Sequence, residues 1–367
     1  MILRQIVAER RNSPVRWFAG FNLRVIVIMS TLSFLAPAIC FSEQQKTDEV
    51  RKLVDRGEFA QAKAALENMA TADQTMEWHF LLGKVRYVWG DIDKAADLFE
   101  SAVKAKPDRS EFFLWWGRAL GRKAEKAIFL KAPILARKSR DAFQRAVELD
   151  SDNLDARDDL LTFYLEAPGF LGGGRGKALA LAEQIKSSHP CESHIQLAQV
   201  YRKENSFDRA ESELRKAIEV KPACLGGYRA LAELFESQSR TKPARETLEE
   251  AVRLFPKSPL AHFALGRFEM ETGGNSTVAR REMESFLTSY VSGEPYPFEA
   301  HYWLGRMFLK LNQPQKAQEE FQQALKSLPT HGPSLKGIVE AHRLQGSGQM
   351  HPGPTVVTSQ TGTRNFP

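Results

Sequence analysis

Residues 191–224 read CESHIQLAQVYRKENSFDRAESELRKAIEVKPAC, and residues 225–258 read LGGYRALAELFESQSRTKPARETLEEAVRLFPKS. Laid over one another, the two lines share a frame. Ala198, Ala210, Leu214, Ala217 and Pro222 stand at offsets of 12, 4, 3 and 5, and Ala232, Ala244, Leu248, Ala251 and Pro256 repeat them 34 residues later. The frame recurs at Gly83, Ala95, Phe99, Ala102 and Pro107, and at Gly305, Ala317, Phe321, Ala324 and Pro329. A fixed period of this length is the signature of a stacked-repeat architecture.

Each unit reads as two helices. In 76–109 the first runs near Glu77–Trp89, Gly90-Asp91 breaks it, the second runs near Asp93–Lys104, and Pro107 stops it. Ala95, Phe99 and Ala102 share one helical face. The small residues Gly83 and Ala95 let the helices approach, and Phe99 fills the remaining space. One such hairpin cannot bury its apolar face alone, so its neighbours must stack on it.

These residues resemble the tetratricopeptide repeat family: Leu82-Gly83, Leu265-Gly266 and Leu304-Gly305 in first helices, Trp116-Gly117 as a variant, then Ala, an aromatic and Ala, then Pro. The resemblance implies an all-α solenoid, a right-handed superhelix of antiparallel helix pairs. Eight units are expected, over 43–75, 76–109, 110–153, 154–190, 191–224, 225–258, 259–297 and 298–331. A capping helix is expected over 332–344, then a disordered Gly/Ser/Thr/Pro/Gln-rich tail over 345–367. Units three and four fit only with insertions. The Gly-rich stretch near 164–174 also looks like segments of exported bacterial tetratricopeptide proteins of unknown function.

The formal charge is +6 over 367 residues. Residues 1–38 hold Arg4, Arg10, Arg11, Arg16 and Arg24 against Glu9, so the remainder is near neutral and lacks the basic footprint of a nucleic-acid binder. That segment reads as an export signal: basic residues, an apolar run from Val25 to Leu35, then Ala36-Pro37-Ala38. An uncleaved inner-membrane anchor is the alternative. The expected location is exported, periplasmic or secreted. Cys40, Cys191 and Cys224 are too few for a disulfide scaffold. Equivalent points on stacked hairpins lie about 10 Å apart, so Cys191 and Cys224 are expected to be free thiols.

No enzyme, cofactor or metal site is expected. Gly169–Lys177 resembles a phosphate loop but has Leu171 where Gly is needed and Ala178 where Ser or Thr would reach a metal. A nucleotide-dependent enzyme using this loop is the weakest alternative. His79, His194, His262 and His301 recur at one position of four first helices, too far apart for one ion, and are expected to replace a large packing residue.

Function is therefore sought in surfaces. The resemblance implies partner binding in a concave groove, with the ninth position of each unit facing it: Lys84, Arg118, Thr162, Gln199, Glu233, Arg267 and Arg306. Aromatic side chains lie nearby at Phe80, Tyr87, Trp115, Phe263, Tyr302 and Trp303, and Arg with aromatics is the usual anchor chemistry of interfaces. The expected partner is a peptide or protein segment of acidic character, held by a non-catalytic scaffold in a bacterial cell envelope. The insertions of units three and four must emerge at one edge. There Lys123, Lys126, Phe129, Lys131, Phe170 and Arg175 mix charge with apolar bulk, with Pro133 expected to kink any helix. This composition suits an acidic partner or peripheral contact with an anionic membrane. The blander reading is a pair of elongated helices packed on each other, with lysines reaching outward.

Overall fold

The computed structural model describes residues 45–69, 75–128, 130–220 and 224–348. The export segment 1–38 and tail residues 349–367 lie outside them, as does Phe129. The chain divides into two units, Met1–Asp48 and Glu49–Pro367. In the first, the described residues 45–48 are helical.

Among its described residues the second unit is built of helices, in consecutive hairpins. It begins with helix α1, which covers residues 49–55 of this unit and pairs in sequence with α2 (Phe59–Glu67). The next pairs are α3 (Met76–Trp89) with α4 (Ile92–Ala105), α5 (Ser110–Lys126) with α6 (Ala132–Leu149), and α7 (Leu154–Glu166) with α8 (Arg175–Gln184). Then come α9 (Pro190–Lys203) with α10 (Phe207–Val220), α11 (Leu225–Ser237) with α12 (Thr241–Leu254), α13 (Pro259–Glu271) with α14 (Ser276–Ser289), and α15 (Pro297–Lys310) with α16 (Pro314–Ser327). The last helix, α17 (Gly332–Gly348), packs on α16 and α15. It runs four residues past the expected stop at Leu344, so the start of the expected tail is helical. Among the described residues no helix is long and apolar enough to cross a membrane.

The small-to-large frame is a packing rule. A Cβ on Gly83 would lie 2.6 Å from the Phe99 ring, one on Gly117 2.5 Å from Phe143, and one on Gly305 2.5 Å from Phe321. Where the first helix carries Ala instead, at Ala198 and Ala232, the second carries the smaller Leu214 and Leu248, and all four are buried. The volume across each hairpin is held constant, as a close-packed interior requires.

The hairpin turns explain the insertions. Gly57, Gly90, Asn205, Ser239, Gly273 and Asn312 all have φ between 53° and 88°. Each ends a first helix in the left-handed conformation that turns the chain back at once. Units three and four lack this residue. Their helices α5 and α7 end on the extended Ala127 and Ala167 (ψ 151° and 139°), which send the chain outward. The α5–α6 hairpin is accordingly longer, at 17 and 18 residues against the usual 14. Pro133 does not kink it; it sits in the first turn of α6, where its missing N–H is not needed.

The array curves until its ends meet. The Phe59 ring stands edge-on to Tyr296 at 4.9 Å. The Tyr290 hydroxyl and the Gly293 amide both donate to the Asp55 carbonyl at 2.9 Å. One apolar cluster runs from Val54 and Phe59 to Tyr296, Phe298, Ala324 and Leu328.

The expectation of free thiols is overturned. Cys191 and Cys224 form a disulfide, with Cα atoms 6.6 Å apart. The residues are 33 apart, one short of the period. Cys191 is therefore the second residue of α9, whereas Cys224 is the residue just before α11. The helix-packing distance applies to equivalent points, and these are not equivalent.

Candidate functional site

Each first helix from α3 to α15 packs on the next first helix, so these helices line one continuous groove. Between α9, α11, α13 and the segment before α15 it opens into a cleft of about 560 Å³, lined by Arg202, Arg229, Glu236, Phe263, Arg267 and Glu294 among others. Glu294 comes from the closing segment, and its charge also acts on Lys84, Tyr87 and Arg118.

The basic residues expected to seize an acidic partner are mostly occupied. Lys84 is buried, stacks on Trp115 at 4.9 Å and faces Glu111 at 3.8 Å; burial holds its ammonium below the usual lysine range. Arg118 also stacks on Trp115, at 5.0 Å, and binds Asp159 at 2.6 Å and Asp155 at 3.6 Å. Arg267 binds Glu271 at 2.5 Å and Glu236 at 3.6 Å. Trp115, flanked by two cations and edge-on to Tyr87, is an internal strut. Phe80 and Phe263 are likewise buried.

Arg306 differs: it is exposed and forms no ion pair among the described residues. With Trp303, Met307 and Lys310 it lines a pocket of about 380 Å³ closed by Met270 and Gly273-Gly274. Tyr302 turns away, its ring 6.2 Å from Phe321 and 5.4 Å from His331.

Carboxylates crowd one stretch of the groove. Asp155, Asp158 and Asp159 on α7 stand near Glu192 on α9. Desolvation first and neighbouring carboxylates second push Asp158 above the ordinary carboxylate range; desolvation does the same to Asp159, Glu236 and Glu299. Gln196, 1% exposed, donates to Asp158 at 2.7 Å. Among the described residues its own Oε1 meets no donor, and neither do the enclosed Glu192 Oε2 and Glu236 Oε1. Buried acceptors without donors are uncommon and costly. In the sequence Asp155, Asp158 and Asp159 read as a solvated cluster favouring the positive end of a helix; the ninth-position frame does not reach them, and the structure sets them beside Glu192.

The recurring histidines are not simple packing residues. His194 Nδ1 meets Glu213 at 2.6 Å, His262 meets Glu282 at 2.6 Å and His301 meets Glu320 at 2.7 Å. Each pair ties a first helix to its second. Unit two has Leu98 at the glutamate position, and there His79 meets its own helix at the Thr75 carbonyl, 2.9 Å away. The pairing was readable from the paired occurrence of His and Glu.

The Gly-rich turn between α7 and α8 closes on itself. The amides of Gly172, Gly173 and Gly174 donate to Gly169, Pro168 and Tyr164, and Lys177 Nζ donates to the Gly172 carbonyl at 2.9 Å. The amides and lysine that would cradle a phosphate are spent internally.

At the insertion edge Lys123 is paired with Asp93 at 3.0 Å, and Arg175 is paired with Glu204. Lys126 and Lys131 are exposed and form no ion pair among the described residues. Phe170 is exposed and reaches this edge because its carbonyl accepts from Arg137 of α6 at 3.3 Å.

Family models agree with the repeat architecture. Models described as tetratricopeptide repeat match residues 47–110, 195–259 and 298–331. The type IV pilus assembly protein PilF of Pseudomonas aeruginosa is 25% identical over 135 residues, 37% of this chain and 52% of that protein. The chain thus spans about half the length of this curated relative. Among solved structures, yeast Tom70 is similar with a TM-score of 0.47 and 16% identity, over 78% of this chain and 66% of that one. A human IFIT1 dimer with PPP-AAAA gives 0.43 and 17%, over 79% and 72%. With the 34-residue frame, the stacked hairpins and the matched stretches together, the chain carries tetratricopeptide repeats.

Proposed function

We propose that the protein is a non-catalytic scaffold that holds an extended segment of a partner protein in the groove lined by its first helices. The observation that carries this reading is the crowding of Asp155, Asp158, Asp159 and Glu192 on two adjacent first helices, with Glu236 in the cleft beside them, where Glu192 Oε2, Gln196 Oε1 and Glu236 Oε1 meet no donor among the described residues. A segment bearing Lys, Arg or free backbone N–H groups supplies the missing donors and offsets the crowded carboxylates. The expectation of an acidic segment is revised accordingly. Lys84, Arg118 and Arg267 already face carboxylates, and Arg306 with Trp303 is left to grip one apolar or acidic residue at the groove's end.

The test is fluorescence polarisation with two extended peptides of equal length, one Lys/Arg-bearing and one Asp/Glu-bearing. The cationic peptide binds, and the pair Asp158→Asn with Glu236→Gln weakens it about tenfold or more, one to two charge-assisted bonds. Binding of the anionic peptide alone would overturn the charge assignment; binding of neither would overturn the groove.

Residence in a bacterial cell envelope is the companion proposal. The Cys191–Cys224 bond supports it, because such bonds persist in oxidising compartments. Sequencing the N-terminus of the native protein distinguishes cleavage near Ala38 from a retained anchor.

A further inference from the structure

The insertion edge carries large apolar side chains into solvent. Ile128, Leu130 and Ile134 at the tip of the α5–α6 hairpin are 68%, 76% and 57% exposed, and Phe170 of the neighbouring turn is 70% exposed. Arg137 donates to the Phe170 carbonyl at 3.3 Å and Arg140 to the Leu171 carbonyl at 2.7 Å, so the two turns are bound into one edge. The lower parts of α5 and α6 bury Leu120, Ala142 and Phe143, as elongated helices that pack on each other should. The tip goes beyond what that packing needs.

The charges around this tip separate it from the groove. The groove cations Lys84, Arg118 and Arg267 are matched by carboxylates of adjacent helices. Lys126, Lys131, Arg137 and Lys138 are exposed and form no ion pair among the described residues. Glu125, the acidic residue of the tip, faces Arg122 at 3.6 Å. Exposed apolar side chains ringed by unmatched cations are the composition of an interfacial membrane contact: the apolar groups enter the acyl boundary while the cations stay with the headgroups. A protein partner would need a matching apolar pocket and acidic rim. A bilayer needs neither shape nor register, which suits two short turns and a mixed set of side chains.

We propose that the edge formed by the α5–α6 hairpin tip and the turn between α7 and α8 docks on an anionic bilayer surface, with Ile128, Leu130, Ile134 and Phe170 entering the interface and Lys126, Lys131, Arg137 and Lys138 engaging lipid phosphates. The proposal is independent of the groove reading. It orients the repeat array against a membrane whether or not the N-terminal segment is retained.

The experiment is hydrogen–deuterium exchange on the full chain, with vesicles of phosphatidylcholine alone and of phosphatidylcholine with phosphatidylglycerol. The readout is local, so the apolar N-terminal residues cannot imitate it. The anionic vesicles slow exchange over 121–140 and 167–177 and leave the turns at Asn205 and Ser239 unchanged. Replacing Lys126, Lys131 and Lys138 together by Gln removes the protection over both segments, each cation contributing roughly fivefold to the contact. The pair Ile134→Ser with Phe170→Ser, both at exposed positions, also removes the protection. Equal protection by neutral vesicles, or none over these segments with anionic ones, would overturn the proposal. So would retention of polyglutamate through the same lysines without vesicle binding, which would make the edge a protein-docking surface.

Discussion

Replacing Gly83 by Ala tests the packing rule that spaces the repeats. The added Cβ would lie 2.6, 2.8 and 3.1 Å from three atoms of the Phe99 ring, which is fully buried and cannot swing away. Overpacking of this kind costs about 1–3 kcal/mol, offset by up to about 1 kcal/mol of helix propensity gained when Gly becomes Ala. A net loss of about 1–2 kcal/mol is expected. Phe99→Leu alone leaves a void and costs about 1–2 kcal/mol, less than the full truncation of a buried ring. The double variant recreates the Ala–Leu arrangement of Ala198 with Leu214, and should lie within about 1 kcal/mol of the starting protein. The interaction energy is then about 2 kcal/mol in favour of the pair, within the range of contacting residues. Urea unfolding of the four proteins, followed by far-ultraviolet circular dichroism, measures the cycle. Unchanged stability of Gly83→Ala, or a double variant as unstable as the two losses summed, would refute the reasoning.

Single features carry the other predictions. Ser239 holds a φ of 57°, and Ser239→Gly should stabilise the protein by about 1 kcal/mol, read as a higher urea midpoint. Replacing Cys191 and Cys224 by Ser removes a cross-link across 33 residues; chain entropy puts the loss near 4 kcal/mol, and intact mass before and after reduction confirms the bond. Cationic-peptide binding should depend on pH. Asp158, Asp159, Glu236 and Glu299 titrate above the ordinary carboxylate range, so binding that needs their ionised form is complete above the raised values and lost as pH falls through them. The contribution of these four groups to stability runs the other way: a carboxylate whose folded value is raised costs stability when ionised, and mild acidification relieves that cost, against the opposite contribution of Glu100, Glu211, Glu213 and Glu250, whose values are lowered. A titration of affinity from pH 7 to about 4 should show the loss of binding.

The parts of the fold that obey the period were legible, because they depend on residues within one hairpin. Gly83 with Phe99 and Ala198 with Leu214 are local volume matches, and Gly90 is a local turn signal. What was not legible depends on curvature and on neighbouring elements. Closure through Phe59, Tyr290 and Tyr296 joins residues more than two hundred positions apart. The Cys191–Cys224 bond turns on a one-residue offset at helix starts. In the groove, reading the ninth position identified Lys84, Arg118 and Arg267 but could not see that Glu111, Asp159 and Glu236 face them, since each partner lies on a neighbouring first helix. The exposed tip at Ile128–Ile134 was visible as composition, yet whether its apolar residues pack or protrude is decided by the extended Ala127.

The central claim is that the groove, rather than the outer face of the second helices, is where a partner is held. Site-specific photocrosslinking in cells measures it directly. A photoreactive residue at Gln199, between Gln196 and Arg202 on the groove side of α9, should yield a discrete partner adduct, and the same residue at the exposed Arg215 on α10 should yield none. Adducts from Arg215 with none from Gln199 would contradict the account.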